Sequence, residues 1–585
     1  MKISASASLT QTRPVWQILT RVNPVSFFIF IFFLWFILAC LVIPNVNTVN
    51  TVFVQDGKFT LEPLQKLTNS ARAMRSLRNS FILAPTLSLT VGIIGLSLVF
   101  ITEYFDIKGS KILRLGYMTT LIYGGIILVS GYKFIYSSNG YLTNIIASVF
   151  TGMNRDWFTG YWAVLFVMTF ACTSNHMIFL RNAMRSVDFQ TVEAAQNMGA
   201  KPWTIIRRVV LPVLTPSLLA VTILTFITGL SATSAPLLVG GTEFQTITPM
   251  ILTFANSIGS RDLAALLALF LGIASVALLV LLTQLEKRGT YLSVSKVKTT
   301  IKKQKIRNPV LNLLAHAYAY ILFLVYITPV VLITLFSFTN AATIGRRQLS
   351  FTSFTIANYI SVFTRRTAYR PFLVSIIYSA LAAFAVALLI LLACRLITKY
   401  KNRLTATLEY SFLIPWLLPN TLIAIGLITT YNFHRWFMFN KILTGTLFLL
   451  FLGYVIIKIP FTLRMTKAAF FAIDDSLEDA AKNLGAKTLY TFVRVILPVI
   501  MPTILAIFAL NFNSLLGDYD MTVFLYHPLS QPLGVYIKSL TDNQANADNA
   551  ALTFVYAVLM MIISGVVLYL VYGRGSREAF NEQGK

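Results

Sequence analysis

Two short segments, 286 residues apart, carry the same residue types at the same spacing. The first reads Glu193-Ala194-Ala195, three residues, then Gly199; the second reads Asp479-Ala480-Ala481, three residues, then Gly485. No nucleophile triad or metal-ligand spacing accompanies either, so catalysis is the poorer reading. Docking is the better one. Paired alanines allow another surface to approach closely, the acid gives a charged handle, and the glycine permits a backbone turn that a side chain would resist.

A second polar group lies after the second segment: Asn511 and Asn513, then Asp518-Tyr519-Asp520. The carboxylates and phenol are hard-oxygen groups suited to Fe³⁺ or to a cation path, and ionisable residues beside a membrane span are functional candidates by default. Against that stands simple solvation at an outer membrane face. The two asparagines either line a cavity or bond helix to helix, and the second role is preferred. His176, His316, His434 and His527 are scattered, so a metal site is not assigned. Cys40, Cys172 and Cys394 lie far apart in apolar runs and read as small buried side chains. No G-x-x-x-x-G-K-[S/T] occurs, so the chain has no P-loop to cradle ATP phosphates. No cofactor is called for.

The elements that must position these residues are membrane helices. Of 585 residues, 56% are hydrophobic and only 12% charged, about half the charge of a soluble domain, and the mean hydropathy is +0.72. A helix needs about 20 apolar residues to cross the hydrocarbon core. Twelve candidates centre on Phe27–Ile43, Phe81–Ile101, Met118–Tyr136, Trp162–Leu180, Leu214–Leu230, Leu263–Leu282, Ala317–Phe336, Phe372–Leu392, Leu413–Thr430, Leu447–Phe461, Ile500–Leu516 and Thr553–Tyr572. Pro415 and Pro419 interrupt the ninth and predict a bend; the third has no such pair, which predicts unequal halves. The Cys40 region loosely resembles a lipoprotein cleavage box, but the spans downstream argue for an uncleaved first helix.

The net charge of +27 is not a nucleic-acid footprint, because the basic residues sit in loops between apolar spans and not on one face. With the N-terminus in the cytoplasm, most Lys and Arg fall on the cytoplasmic side, as membrane topology requires. Arg72, Arg75, Arg78, Arg346, Arg347, Arg365, Arg366 and Arg370 lie outside, where they suit an anionic substrate, an acidic partner or plain surface charge. Both termini are placed inside.

The chain is an internal repeat. At the 286-residue offset Asp188, Arg208, Pro212 and Pro216 recur as Asp474, Arg494, Pro498 and Pro502; upstream, Phe59 and Ser80 recur 295 residues on as Phe354 and Ser375. Even-numbered halves share one orientation. The expected division is 1–290, a basic cytoplasmic linker 291–310, and 311–585. In each half a short helix, the glycine turn and a second short helix ending at Leu211-Pro212 or its copy precede the fifth span.

Two loops of the pattern Glu-Ala-Ala, three residues, Gly, nine residues, Ile, one residue, Leu-Pro resemble the EAA loop of type I ABC importer permeases. The copies match with Val209 and Leu211-Pro212, and with Asp479, Val495 and Leu497-Pro498. The resemblance implies an all-α polytopic membrane protein of about twelve helices in two parallel six-helix repeats. It implies a transport subunit in the bacterial inner membrane, coupled through Glu193, Ala194, Ala195, Gly199, Asp479, Ala480, Ala481 and Gly485 to a separate ATP-binding subunit acting as a homodimer. An extracytoplasmic substrate-binding protein delivers the solute. Thr228–Gly241 and Ser514–Pro528 are similar to stretches of fused ferric-iron importer permeases, so ferric iron leads. An organic phosphate or phosphonate, or a polyamine, is the alternative within the class; a gradient-driven secondary transporter is the alternative outside it.

Overall fold

The computed structural model describes residues 24–287 and 302–582, apart from 56, 151, 185, 186, 347–350, 401, 439, 472, 474 and 543–546. Long apolar runs dictate helix, since in lipid every backbone N–H and C=O must be satisfied within the chain. The strands among the described residues are one antiparallel pair, Val54–Gln55 with Lys58–Phe59. Ten helices are long and apolar enough to span a membrane. In chain order the elements used below are α1 (Phe27–Phe53), α2 (Ala71–Tyr104), α3 (Ser110–Leu121), α4 (Gly125–Val149), α5 (Gly160–Met184), α6 (Phe189–Asn197), α7 (Pro202–Leu230), α8 (Ile247–Ala255) and α9 (Arg261–Lys287). The second half supplies α10 (Pro309–Ser337), α11 (Arg366–Tyr400), α12 (Arg403–Leu417), α13 (Asn420–Tyr431), α14 (Leu447–Phe471), α15 (Asp475–Asn483), α16 (Thr488–Leu516), α17 (Thr522–Leu525), α18 (Leu533–Asp542) and α19 (Ala547–Glu582).

The third and ninth spans are broken pairs. α3 and α4 meet at 112°, α12 and α13 at 105°, giving twelve spans when each pair counts as one. The bend expected in the ninth span is present, and the inequality expected from the third span's lack of a proline pair is corrected, since both spans break. Pro415 lies inside α12, while Pro419 caps α13 with φ −60° and ψ 145°. The first half breaks at the equivalent point with glycine: Gly124 is extended and Gly125 has φ +59°. A left-handed residue ends helical propagation as surely as a proline does.

Leu211-Pro212 does not end a helix either. α7 runs through it from Pro202 to Leu230, with one wide π turn at Ile206–Val210, and α16 repeats this with Phe492–Ile496 ahead of Pro498. Each proline lacks the N–H owed to the residue four back, and the wide turn just before it absorbs the misfit. The short helical stretch after each glycine turn and the span behind it are thus one continuous helix.

The halves interlock. One apolar core joins α2, α4, α5 and α7 of the first half to α10 and α19 of the second. Another joins α1 to α11 through α14. A third sets α9 against Leu422 and Ile425 of α13. Specific contacts seal the exchange. Tyr431 donates to the Ala39 carbonyl at 2.6 Å, and Trp35 Nε1 to the Phe437 carbonyl at 3.0 Å. In the other direction Tyr117 donates to the Ala319 carbonyl at 2.7 Å. Gly426 allows a close approach of the two backbones, because a Cβ there would lie 3.0 Å from the Pro44 carbonyl oxygen.

Candidate functional site

The first repeated loop is α6, its turn, and the start of α7. Asp188 caps α6, accepting from the Gln190 amide at 3.1 Å, a standard N-terminal device. Phe189, Val192 and Ala195 face inward, and Glu193, Ala194 and Asn197 face out. Gly199 has φ +78°. Its amide donates to Gln196 at 2.9 Å and the next amide, Ala200, to Ala195 at 3.0 Å. This closure needs a left-handed residue at its hinge.

The second loop repeats the closure bond for bond. Gly485 has φ +81°; its amide donates to Lys482 at 2.9 Å, and Ala486 to Ala481 at 3.0 Å. Ala481 is buried, while Asp479 is exposed and pairs with Lys482 at 3.3 Å. Around both glycines large apolar side chains stand exposed at matching positions: Met198 and Leu484, Trp203 and Leu489. Glu478, the neighbour of Asp479, is held by Arg395 of α11 at 2.8 and 2.9 Å. The Arg395 hydrogen bonds hold its carboxyl down to about 2 against the opposing effect of burial.

The connections after α7 and α16 form the second site. Asp518 Oδ2 accepts from the Met521 and Thr522 amides at 3.2 and 3.1 Å and from the Thr522 hydroxyl at 2.8 Å, so it caps α17. Burial pushes its carboxyl up, opposed by the Thr522 bond and by the charge of Lys458. Lys458, near the middle of α14, donates to Ser514 Oγ at 2.6 Å. The equivalent first-half positions are Cys172, Thr228 and Ala232, so this charged cluster belongs to one half only. Asp520 lies near Thr233, in the matching connection of the other half, and burial pushes it up to about 7. Its Oδ1 is sealed without a partner. Tyr519 is buried.

Asn511 donates to Thr462 Oγ1 at 2.8 Å and Asn513 to the Ser564 carbonyl at 3.3 Å, each joining two helices. Among the described residues no three His, Cys, Asp or Glu side chains converge as metal ligands. Lys458 was visible in the sequence as a cation inside a span; Thr233 and Arg395 carried no local signal, because their partners lie in other elements.

Residues 5–288 and 385–577 match the family described as binding-protein-dependent transport system inner membrane component. The chain belongs to that family, and it is an ABC transporter permease. Over 555 residues it is 37% identical to the probable ABC transporter permease protein y4fN of Sinorhizobium fredii, covering 94% of this chain and 97% of that one. It is 20% identical to the ferric transport system permease protein FbpB of Actinobacillus pleuropneumoniae, over 89% of this chain and 75% of that one. A probable sulfate transport system permease protein, cysT of Prototheca wickerhamii, is 28% identical over 30% of this chain and 70% of its own. A solved bacterial alginate ABC transporter, in complex with an alginate pentasaccharide-bound periplasmic protein, aligns with a TM-score of 0.40 and 18% identity over 49% of this chain and 100% of that one.

Proposed function

We propose that this permease forms both halves of the membrane pathway of an importer driven by a separate ATP-binding homodimer, with both termini and both repeated loops in the cytoplasm. The observation that carries this reading is the pair of matched loops. Each presents a left-handed glycine turn flanked by exposed apolar side chains, at the end of a rod that continues through the membrane. Two such surfaces suit two copies of one ATPase. Closure of that dimer would draw the loops together and tilt α7 and α16, changing which side of the pathway is open. A substrate-binding protein would deliver the solute to the opposite face.

The substrate we propose is ferric iron. Likeness to a ferric permease over most of the chain supports it, as does Asp520, whose unpartnered oxygen lies where the two halves meet. Asp518 is occupied in capping α17, so transit past a weak site fits better than tight chelation. Lys458 favours a second reading, an oxyanion such as sulfate or a phosphonate. The test is ATP-dependent uptake into vesicles holding the permease with its ATPase and binding protein. Accumulation of radiolabelled ferric iron is expected; accumulation of labelled sulfate or phosphonate in its place would overturn the iron assignment. Failure of any ATPase to co-purify would overturn the importer itself.

A further inference from the structure

The two loops are alike in backbone and unlike in how they are moored. In the first, Val192 is wholly buried and belongs to the apolar core against which Phe100 and Val209 pack and in which Ile206 takes part. The equivalent positions in the second half are Glu478 for Val192, Arg395 for Phe100 and Phe492 for Ile206. Three apolar residues of one core have become a bidentate ion pair stacked on a ring. Arg395 Nη1 and Nη2 each hold one carboxylate oxygen of Glu478, and the guanidinium carbon lies 5.6 Å from the Phe492 ring centroid. One cation therefore ties α11, α15 and α16 together.

The first loop has a further brace. Gln304, from the segment joining the halves, accepts a 2.7 Å bond from Gln196 Nε2 on α6. Its own backbone is fixed to the end of α2 by bonds from the Asp106 amide and to the Tyr104 carbonyl. Lys302 lies 5.8 Å over the Phe189 ring.

Resting on the importer reading above, we infer that Arg395 is a positioning residue for ATPase coupling. It holds the second loop in register by an electrostatic tether, whereas the first loop is held by apolar burial and the inter-half segment. Apolar burial is not weakened by charge screening, while a pair whose side chains are 14% and 23% exposed is partly screened. Removing Arg395 leaves Glu478 half-buried and cut off from every other element, which costs more than the pair contributed. Besides Arg395, the charged groups near Glu478 are Lys482 at 3.4 Å and Asp479, which pairs with Lys482. Both sit on α15 itself and cannot anchor it to another element. With its tether cut, α15 would swing on Gly485, and ATP would be hydrolysed without moving the rod.

The experiment places a spin label at Asn483 or at Asn197, both exposed, in the full-length permease with and without its ATPase. In Arg395→Ala the Asn483 label should become mobile while Asn197 stays as in the wild type. ATP hydrolysis should continue, with ATP consumed per substrate imported rising on the order of tenfold. High salt should loosen the Asn483 label alone. Two double variants should restore order: the swapped pair Arg395→Glu with Glu478→Arg, and the first-half-like pair Arg395→Phe with Glu478→Val. The second pair should also abolish the salt effect. An unmoved Asn483 label in Arg395→Ala, equal loosening at both labels, or double variants no better than Arg395→Ala would each overturn the inference. Loss of ATPase binding by the wild type would instead overturn the importer reading, because the label mobilities are read in the permease alone as well.

Discussion

The backbone N–H of Leu533 donates a 2.7 Å hydrogen bond to Oγ of Ser375, on a helix 158 residues earlier. Its counterpart is the 2.9 Å bond from the Ile247 amide to Ser80. Both donors open a short helix, α18 or α8, whose first-turn N–H groups have no partner within the helix. A hydroxyl on the neighbouring long helix supplies one, which pins the connection after each fifth span to the second span of its half.

Ser375→Ala and Ser80→Ala should each lower stability by about 1–3 kcal/mol, the cost of a buried donor left unmade. Thermal unfolding of the detergent-solubilised permease measures this. Unchanged midpoints in both would remove the pins from the fold's energetics.

Gly199→Val and Gly485→Val should detach the ATPase. A Cβ at either glycine would meet nothing within 4 Å, so the penalty is purely conformational: positive φ is rare for any side chain and an outlier for a β-branched one. Asn, which tolerates the left-handed region, should retain binding where Val does not. Glu193→Lys combined with Asp479→Lys should weaken it through reversed charge. Co-purification of the ATPase decides, and equal retention by the Val and Asn variants would refute the turn's role.

Asp520 should give transport a pH dependence. Pushed up to about 7 by burial and by the charge of Asp518, it is neutral below that pH and anionic above it. Cation uptake should therefore climb as pH rises through 7, and Asp520→Asn should flatten the climb. The linkage to stability has the opposite sign. The folded state holds this proton more tightly than the unfolded chain does, so stability falls as pH rises from about 4 toward the folded value. Identical uptake profiles for wild type and Asp520→Asn would place the residue outside the path.

Single cysteines test orientation. Asn197→Cys should react with an impermeant reagent only from the cytoplasmic side, and Lys58→Cys only from outside. Most of the linker expected at 291–310 lies outside the described residues, whereas Asn197 and Lys58 are exposed within them. Reaction of Asn197→Cys in intact cells would invert the topology.

What could be read from the sequence was what is local. The loops were legible because glycine spacing and paired alanines recur within a dozen residues. The bend at Pro419 was legible for the same reason, and the Gly124-Gly125 pair at the equivalent place offered a signal of the same kind that a search for proline missed. Pro212 misled, because a π turn five residues long reconciles it with a continuous helix and leaves no mark in composition. Lys458 was visible, but its closeness to Ser514 and Asp518 spans some sixty residues of chain. The exchange of α1 and α10 between halves was invisible for a different reason. A helix that is apolar all round looks the same whether it faces lipid or protein.

That exchange sets a schedule for biogenesis. Trp35 meets Phe437 across 402 residues, and a ribosome adding about 5–20 residues per second needs roughly 20–80 s to make the second after the first. Throughout that interval α1 must wait in the bilayer without its mate. It is built to wait: Phe27–Phe53 contains no Asp, Glu, Lys or Arg and has a hydropathy of 2.9, the highest of the spans. Carrying both halves on one polypeptide guarantees that the mate, when it comes, is already in the same patch of membrane.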